Sequence, residues 1–262
     1  MDQATIDRCI AKVDRADELM EELGSKWLAF LRSNPYPHWV DDGAEPGWKH
    51  VSIDFPECAP LWCGVVAGEI AHDLRSALDH IAWREAVEKL GDVKARSHER
   101  QIAFPLRATP ASFKDAAVLP WVDPNAAALM ERHQPYQPWQ GVGPNPLGLL
   151  HEFNRLDKHH AIHVGVGVGP TMLSLHAFID WDRAVRLLDF EGRLQTGQAL
   201  KGRTEVMRLR FAVDSNPEVY VKRTPPLSIS FGQFQSPPGG AGILETVECV
   251  RQVVADFRDL VP

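Results

Sequence analysis

In the N-terminal part of the chain, hydrophobic residues recur every three or four positions, which is the spacing of one helix face. From Ile6 onward this spacing predicts a first helix over about residues 5–33, ended by Asn34-Pro35. A second long helix is predicted from about Pro60 to Leu90, with Gly91 as its stop signal. Shorter helices are predicted over about residues 110–117, 124–133, 146–160 and 242–260.

Between Ile162 and Phe234 the hydrophobic period changes to strict alternation, which indicates β-strands. The predicted strands are residues 173–178, 206–213, 219–221 and 227–231, preceded by two short strands at 50–55 and 101–106. The connection Asp214-Ser215-Asn216-Pro217 is too short for the crossover that parallel strands need, so we expect an antiparallel sheet. Helices followed by strands and then by a last helix predict the α+β class.

This pattern predicts two parts within one compact unit. Residues 1–161 form a mainly helical, bundle-like part that carries the candidate site. Residues 162–262 form the antiparallel sheet and the last helix. Because that helix has a continuous apolar face from Ile243 to Phe257, we expect it to pack back against the N-terminal helices or the sheet.

Charge, length and cysteine usage narrow the classes of function. The 262-residue chain has a net charge of −7 and a pI of about 5.9, and an acidic chain without a long basic run disfavours duplex DNA as a partner. A short RNA or a small molecule stays open as a ligand. We find no signal-peptide pattern and no apolar stretch that spans a bilayer, so we expect a cytoplasmic protein without a membrane partner. The four cysteines form no Cys-x-x-Cys pair, and we expect no disulfide framework.

Polar residues with catalytic or metal-binding chemistry lie on one side of the second predicted helix. At about 100° per residue, five of them share a stripe about 100° wide. These are Glu69, His72, Asp73, Ser76 and His80. Solvated helix faces favour Lys, Glu and Arg, whereas this stripe has no lysine before Lys89. We therefore interpret it as a candidate site, with a solvated face as the alternative.

A second segment, from His151 to His163, holds four of the eleven histidines. His159 and His163 are four positions apart, which places two imidazoles on one helix face. Asp157 and His160 are three positions apart, as Glu69 and His72 are, and each of these spacings can chelate a metal. We predict that this segment and the stripe of the second helix line a shared pocket.

The string Arg75-Ser76-Ala77-Leu78-Asp79-His80 resembles the Arg-x4-His motif of the HEPN superfamily, helical domains that include many metal-independent ribonucleases. The resemblance implies that Arg75 holds the scissile phosphate and that His80 is a general acid or base, in a cleft often formed at a homodimer interface. Ser76 differs from the family, where Asn, Asp or His is more usual after the arginine. The β-rich segment 162–234 is no part of a HEPN bundle.

A longer string, from His72 to Trp83 with Leu156-Asp157-Lys158-His159 downstream, resembles an uncharacterised bacterial family. That resemblance implies a relationship but no function.

Three functions stay open from the sequence. The first is a HEPN-like RNA phosphodiesterase without a cofactor, whose candidate catalytic residues are Arg75, His80, Glu69, His72, Asp73, Asp157, Lys158 and His159. The second is an enzyme that uses a divalent metal, iron, zinc or manganese, whose candidate ligands are Glu69, His72, His80, His159, His160 and His163. The third is a non-catalytic binding or regulatory protein whose polar cluster is a buried hydrogen-bond network.

Overall fold

The computed structural model describes most of the chain, and the fold is presented for those residues. They are residues 2–33, 35–55, 59–139, 145–159, 164–168, 179–181, 185–194, 199–212, 217–221, 227–231 and 242–260, with backbone only at 156–159, 164–168, 199 and 227–231. The fold has the α+β class that the sequence predicts.

The described helices agree with the predicted ones to within a few residues, except for a short helix at Asp92–Ser97 that the sequence pattern did not predict. They are α1 (Gln3–Arg32), α2 (Leu61–Leu90), α3 (Asp92–Ser97), α4 (Pro110–Lys114), α5 (Pro124–Arg132), α6 (Pro146–His159) and α7 (Ile243–Arg258). Gly91 follows α2 with a φ of 78°, a left-handed conformation that glycine adopts without a Cβ penalty, so it ends the helix as predicted. Within the described residues, no helix is both long and apolar enough to cross a bilayer.

The described strands pair only in antiparallel fashion, as predicted. They are β1 (His38–Asp42), β2 (Trp48–Phe55), β3 (Val164–Val168), β4 (Ile179–Trp181), β5 (Leu187–Gly192), β6 (Ala199–Leu200), β7 (Gly202–Phe211), β8 (Val219–Val221) and β9 (Leu227–Phe231). The strand orders are β1-β2-β7-β5, β6-β3-β9 and β4-β8. The predicted strand at 173–178 lies outside the described residues.

The largest sheet differs from the prediction in its composition. Its strands β1 and β2 come from the N-terminal quarter of the chain, where only residues 50–55 were expected to form a strand. The buried side chains of Val51, Ile53 and Phe55 alternate along β2 and supply the apolar face that a paired strand needs. The alternation of apolar residues along β2 is visible in the sequence, but the long-range pairing of β2 with β7 is not.

Residues 101–106 are not a strand, contrary to the expectation, because side chains satisfy the backbone there. The N–H of Phe104 donates to Asp79 Oδ1 at 2.8 Å, and its carbonyl accepts from Arg75 Nη2 at 2.7 Å. The fully buried Gln134 donates to the Pro105 carbonyl at 2.6 Å. Buried backbone groups must be paired, and here α2 and Gln134 replace a neighbouring strand.

The chain divides into two compact units that differ from the predicted split at residue 161. The helical unit comprises Met1–Glu22, Gly64–Ile162 and Gly239–Pro262. The sheet unit comprises Leu23–Cys63 and His163–Pro238. Each unit therefore combines segments that are distant in sequence, and the helical unit carries all of the candidate groove described below.

Within the helical unit, α2 runs through the core and α1 packs closely against it. The Sγ of Cys9 lies 3.3 Å from the carbonyl oxygen of Ala77, and both residues are fully buried. Small side chains at this contact let the two helix backbones approach each other. The last helix packs in the same unit, as expected: Phe257 meets Phe104 edge-on at 6.3 Å between ring centroids, and Arg251 of α7 pairs with Asp14 of α1.

The described cysteines are free, buried thiols. Burial raises the pKa of Cys9 and Cys249 to about 12 and that of Cys63 to about 11. Because the thiolate is the nucleophile, such thiols are inert near neutral pH. Cys58 lies outside the described residues.

Candidate functional site

The candidate site is a groove between α1 and α2 in the helical unit. It has a narrow segment of about 330 Å³ and a wide segment of about 540 Å³, and both segments are lined by Arg15 and Asp73. The narrow segment is completed by Arg8, Ala11, Lys12 and His80. The wide segment is completed by Leu19, Val65, Gly68, Glu69 and His72. The groove is thus basic at one end and mixed acidic and apolar at the other.

The α1 wall of the narrow segment carries three cations, Arg8, Lys12 and Arg15, at positions i, i+4 and i+7. At about 100° per residue they fall within about 60° of one another, so they share one helix face. Like charges four residues apart destabilise a helix slightly. A negatively charged group that lies against these three cations offsets their repulsion. Lys12 meets Asp73 of α2 at 2.6 Å, and Arg15 meets Glu18 at 2.8 Å. In the described part of the chain Arg8 is exposed and makes no ion pair.

His80 faces these cations from α2. Its Nδ1 is buried and, among the described residues, has no hydrogen-bond partner, which leaves Nε2 as the nitrogen that can meet a ligand in the groove. Partial burial, followed by the positive charges of Lys12 and Arg8, lowers the pKa of His80. The imidazole is therefore neutral at pH 7 and can accept a proton.

Arg75, the other residue of the HEPN-like string, is occupied on a different side of α2. Its Nε and Nη2 donate to the two carboxylate oxygens of Asp79 at 3.1 and 2.8 Å, and Nη2 also donates to the Phe104 carbonyl at 2.7 Å. Only 12% of its side chain is exposed. The geometry therefore gives Arg75 a structural role: its two-pronged ion pair with Asp79 holds both side chains in place, and their hydrogen bonds to the Phe104 backbone fasten that segment to α2.

The structure places four members of the predicted stripe along the groove: Glu69, His72, Asp73 and His80. Ser76, the fifth, is half-buried on the same helix. The described wall opposite them is α1, and the pocket predicted between this stripe and the segment from His151 to His163 stays a prediction, because the side chains from residue 156 onward in that segment lie outside the described ones. Hydrophobic spacing shows which side of a helix is polar, but it does not tell which helix packs beside it.

The second predicted segment is described only in part. His151 lies on α6, and partial desolvation, followed by the positive charge of Arg75, lowers its pKa. The backbone of α6 continues through Asp157, Lys158 and His159, whose side chains lie outside the described ones. His160 and His163 lie outside the described residues altogether. Their predicted roles as catalytic groups or metal ligands stay predictions.

The metal alternative depends mainly on those residues. Among the side chains that the structure describes, no three His, Cys, Asp or Glu residues are grouped closely enough to hold a metal ion. Glu69 and His72 line the wide segment together, and a further ligand for them would have to come from outside the described side chains.

The α1 cations are the site residues that sequence reasoning missed. The first helix was interpreted from its apolar face alone, although Arg8, Lys12 and Arg15 recur at helical spacing on its polar side. That recurrence is the available signal, and it becomes specific only when His80 is known to lie opposite.

Comparisons of the chain with protein-family models, with curated proteins and with solved structures found no match. What the groove can do therefore follows from its own chemistry. The three cations can hold an anion. The neutral imidazole beside them can accept a proton from a group bound to that anion.

Proposed function

We propose that this protein is a metal-independent RNA phosphodiesterase whose reaction takes place in the narrow segment of the α1–α2 groove. The observation that carries the proposal is the neutral imidazole of His80 facing Arg8, Lys12 and Arg15 across that segment. In this arrangement His80 is the general base, and the cations of α1 hold the phosphate.

The charges favour a single-stranded or short substrate over duplex DNA. The chain as a whole carries −7, so attraction to a nucleic acid has to come from a local cluster. Arg8 and Arg15 supply exposed guanidinium groups, which suit phosphate oxygens because they donate two parallel hydrogen bonds. Asp73 offsets the charge of Lys12, so the net attraction is modest and local.

The reaction is an internal transesterification. His80 takes the proton of a ribose 2′-hydroxyl, and the 2′ oxygen forms a bond to the adjacent phosphorus. The bond from phosphorus to the 5′ oxygen breaks, and that oxygen takes a proton from a water molecule in the open groove. The imidazolium then returns its proton to the resulting hydroxide. Arg8 and Arg15 stabilise the charge that develops on the phosphate oxygens.

The proposal moves the phosphate-holding role from Arg75 to α1. The carboxylate of Asp79 offsets the charge of Arg75, and the hydrogen bond to the Phe104 carbonyl fixes the direction of its side chain. A phosphate would have to compete with Asp79 for the Nε and Nη2 edge of that guanidinium. Arg8 has no such competitor, because it makes no ion pair in the described part of the chain.

The test is cleavage of a fluorescently labelled single-stranded RNA by the full chain in the presence of EDTA. We expect products with a 2′,3′-cyclic phosphate, and we expect a 2′-deoxy sugar at the cleaved position to block the reaction. His80→Ala should lower kcat/KM by roughly 10²- to 10⁴-fold, the usual contribution of a general base. His98→Phe is the matched control, since it removes another imidazole and keeps a ring against Trp121.

Two results would count against the proposal. Equal cleavage by the wild-type protein and His80→Ala would remove His80 from the chemistry. Activity that EDTA abolishes and that zinc, iron or manganese restores would favour the metal-dependent alternative, with ligands among Glu69, His72, His80, His159, His160 and His163.

A further inference from the structure

The wide segment of the groove has a composition that phosphate binding does not explain. Its walls combine the apolar Leu19 and Val65 with the polar Glu69 and His72. Val65 is 60% exposed although it is apolar, so its methyl groups face solvent at the groove. A flat apolar ligand that covered Val65 would remove this surface from water.

Glu69 is a carboxylate of this segment that has no partner among the described residues. Within the described residues it is exposed and makes no hydrogen bond or ion pair, whereas Asp73 is already paired with Lys12. A free carboxylate beside an apolar wall favours a ligand with two adjacent N–H donors on the edge of a flat ring.

The wide segment also adjoins the phosphate-binding one. Arg15 and Asp73 line both segments, and Glu69 lies eleven positions before His80 on α2. At 1.5 Å per residue this spacing is about 16 Å along the helix axis, so one ligand that extends beyond its phosphate can enter both segments.

We infer that the wide segment binds a guanine base of the RNA substrate, with Glu69 accepting hydrogen bonds from its N1–H and N2–H groups. This inference rests on the proposed function and names its substrate more closely. Guanine presents two adjacent donors on its Watson–Crick edge, which match the two oxygens of a carboxylate. Uracil presents one N–H between two carbonyl oxygens, and a carboxylate repels those two oxygens.

The test compares RNA pentamers that contain one guanosine, one inosine or no purine in an otherwise uridine chain, with the purine placed at each position in turn. Inosine keeps the N1–H of guanine and lacks only the N2 amino group. The sugars are 2′-O-methylated so that the chains bind without being cleaved, and affinity is measured by fluorescence anisotropy. At the best position we expect guanosine to bind roughly tenfold more tightly than inosine, the worth of one hydrogen bond to a charged acceptor.

Glu69→Gln should remove most of the preference for guanosine over inosine, because an amide oxygen is a weaker acceptor and its NH₂ opposes the guanine donors. Glu99→Gln, a change at an exposed glutamate elsewhere in the helical unit, should leave the preference unchanged. Retained cleavage and binding without any base preference would overturn the guanine site and leave the phosphodiesterase standing. Failure to bind or cleave any of the RNAs would overturn the proposed function itself.

Discussion

The two sides of α2 at the Arg75-to-His80 string use the same kinds of residue in opposite ways. On one side Arg75 and Asp79 pair with each other and with the backbone of Phe104, and only 12% of the arginine side chain is exposed. On the other side the Nε2 of His80 makes no hydrogen bond among the described residues, and the imidazole faces the cations of α1 across a groove. A buried polar residue that is held by hydrogen bonds stabilises a fold, whereas an accessible polar atom without a partner is available to a ligand.

The comparison shows that the roles of two residues cannot be inferred from a short motif alone. Arg-x4-His fixes the spacing of two side chains on a helix but not which hydrogen bonds each of them makes. Here the same string supplies one fastening residue and one candidate base. The arginines that complete the candidate site come instead from α1, some 60 residues earlier in the chain.

The largest effect on this comparison should come from Arg75→Ala. It removes three hydrogen bonds and leaves the Asp79 carboxylate without its cation, so we expect the free energy of unfolding to fall by about 2–3 kcal/mol. In a protein of this size that corresponds to a melting temperature lower by roughly 4–10 °C in calorimetry. Cleavage per folded molecule should be unchanged well below the melting temperature.

Arg84→Ala on the same helix is the matched control, because Arg84 pairs with Asp2 and Glu88 at the surface and should cost less than about 1 kcal/mol. An Arg75→Ala protein of unchanged stability that no longer cleaves RNA would break the comparison. It would return Arg75 to the phosphate-holding role that the HEPN resemblance implies.

A smaller effect is expected from Lys12→Met, which acts on the groove side. The positive charge of Lys12 helps to keep His80 unprotonated, so its removal should raise the pKa of His80. A general base loses activity when it is protonated. In a plot of kcat/KM against pH, the midpoint of the fall on the acidic side should therefore lie below the ordinary histidine pKa of ~6.5 in the wild type. It should move to higher pH in the variant.

Two further variants guard this measurement. Lys114→Met, at an exposed lysine of α4, should leave the pH profile unchanged. Lys12→Met combined with Asp73→Asn removes both members of the ion pair, so that no half-buried carboxylate is left alone. If the midpoint of this fall stays in place in both Lys12 variants, the fall does not report on His80.

The sequence predicted local structure well because local structure depends on local patterns. The bounds of α2, α5 and α7 follow from hydrophobic spacing and from stop signals such as Gly91. It predicted the polar side of α2 for the same reason. It did not predict that β2 pairs with β7, or that α1 forms the far wall of the groove, since both depend on contacts between segments distant in sequence.

The strand expected at 101–106 shows a second kind of limit. Its alternation is real, but Asp79, Arg75 and Gln134 take the backbone hydrogen bonds that a neighbouring strand would have made. Contacts in which side chains take the place of a neighbouring strand are specific to one fold. They leave no repeated pattern in the sequence. The side chain of His159 and the whole of His163 lie beyond what the structure describes, so their predicted roles stay predictions.

The smallest effect should come from Arg8→Gln. This variant tests the groove side through the salt dependence of RNA binding instead of the rate of cleavage. Arg8 is exposed and makes no ion pair in the described part of the chain, so its loss should cost little stability. If it contacts a phosphate, its removal should weaken RNA binding a few-fold at low salt and reduce the slope of log K against log salt by about 0.7, the value of one contact to a single strand. Arg100→Gln, at another exposed arginine that follows α3, should leave the slope unchanged. An Arg8→Gln slope equal to that of the wild type would mean that phosphate does not enter the narrow segment beside α1, and His80 would then face cations that serve only the fold.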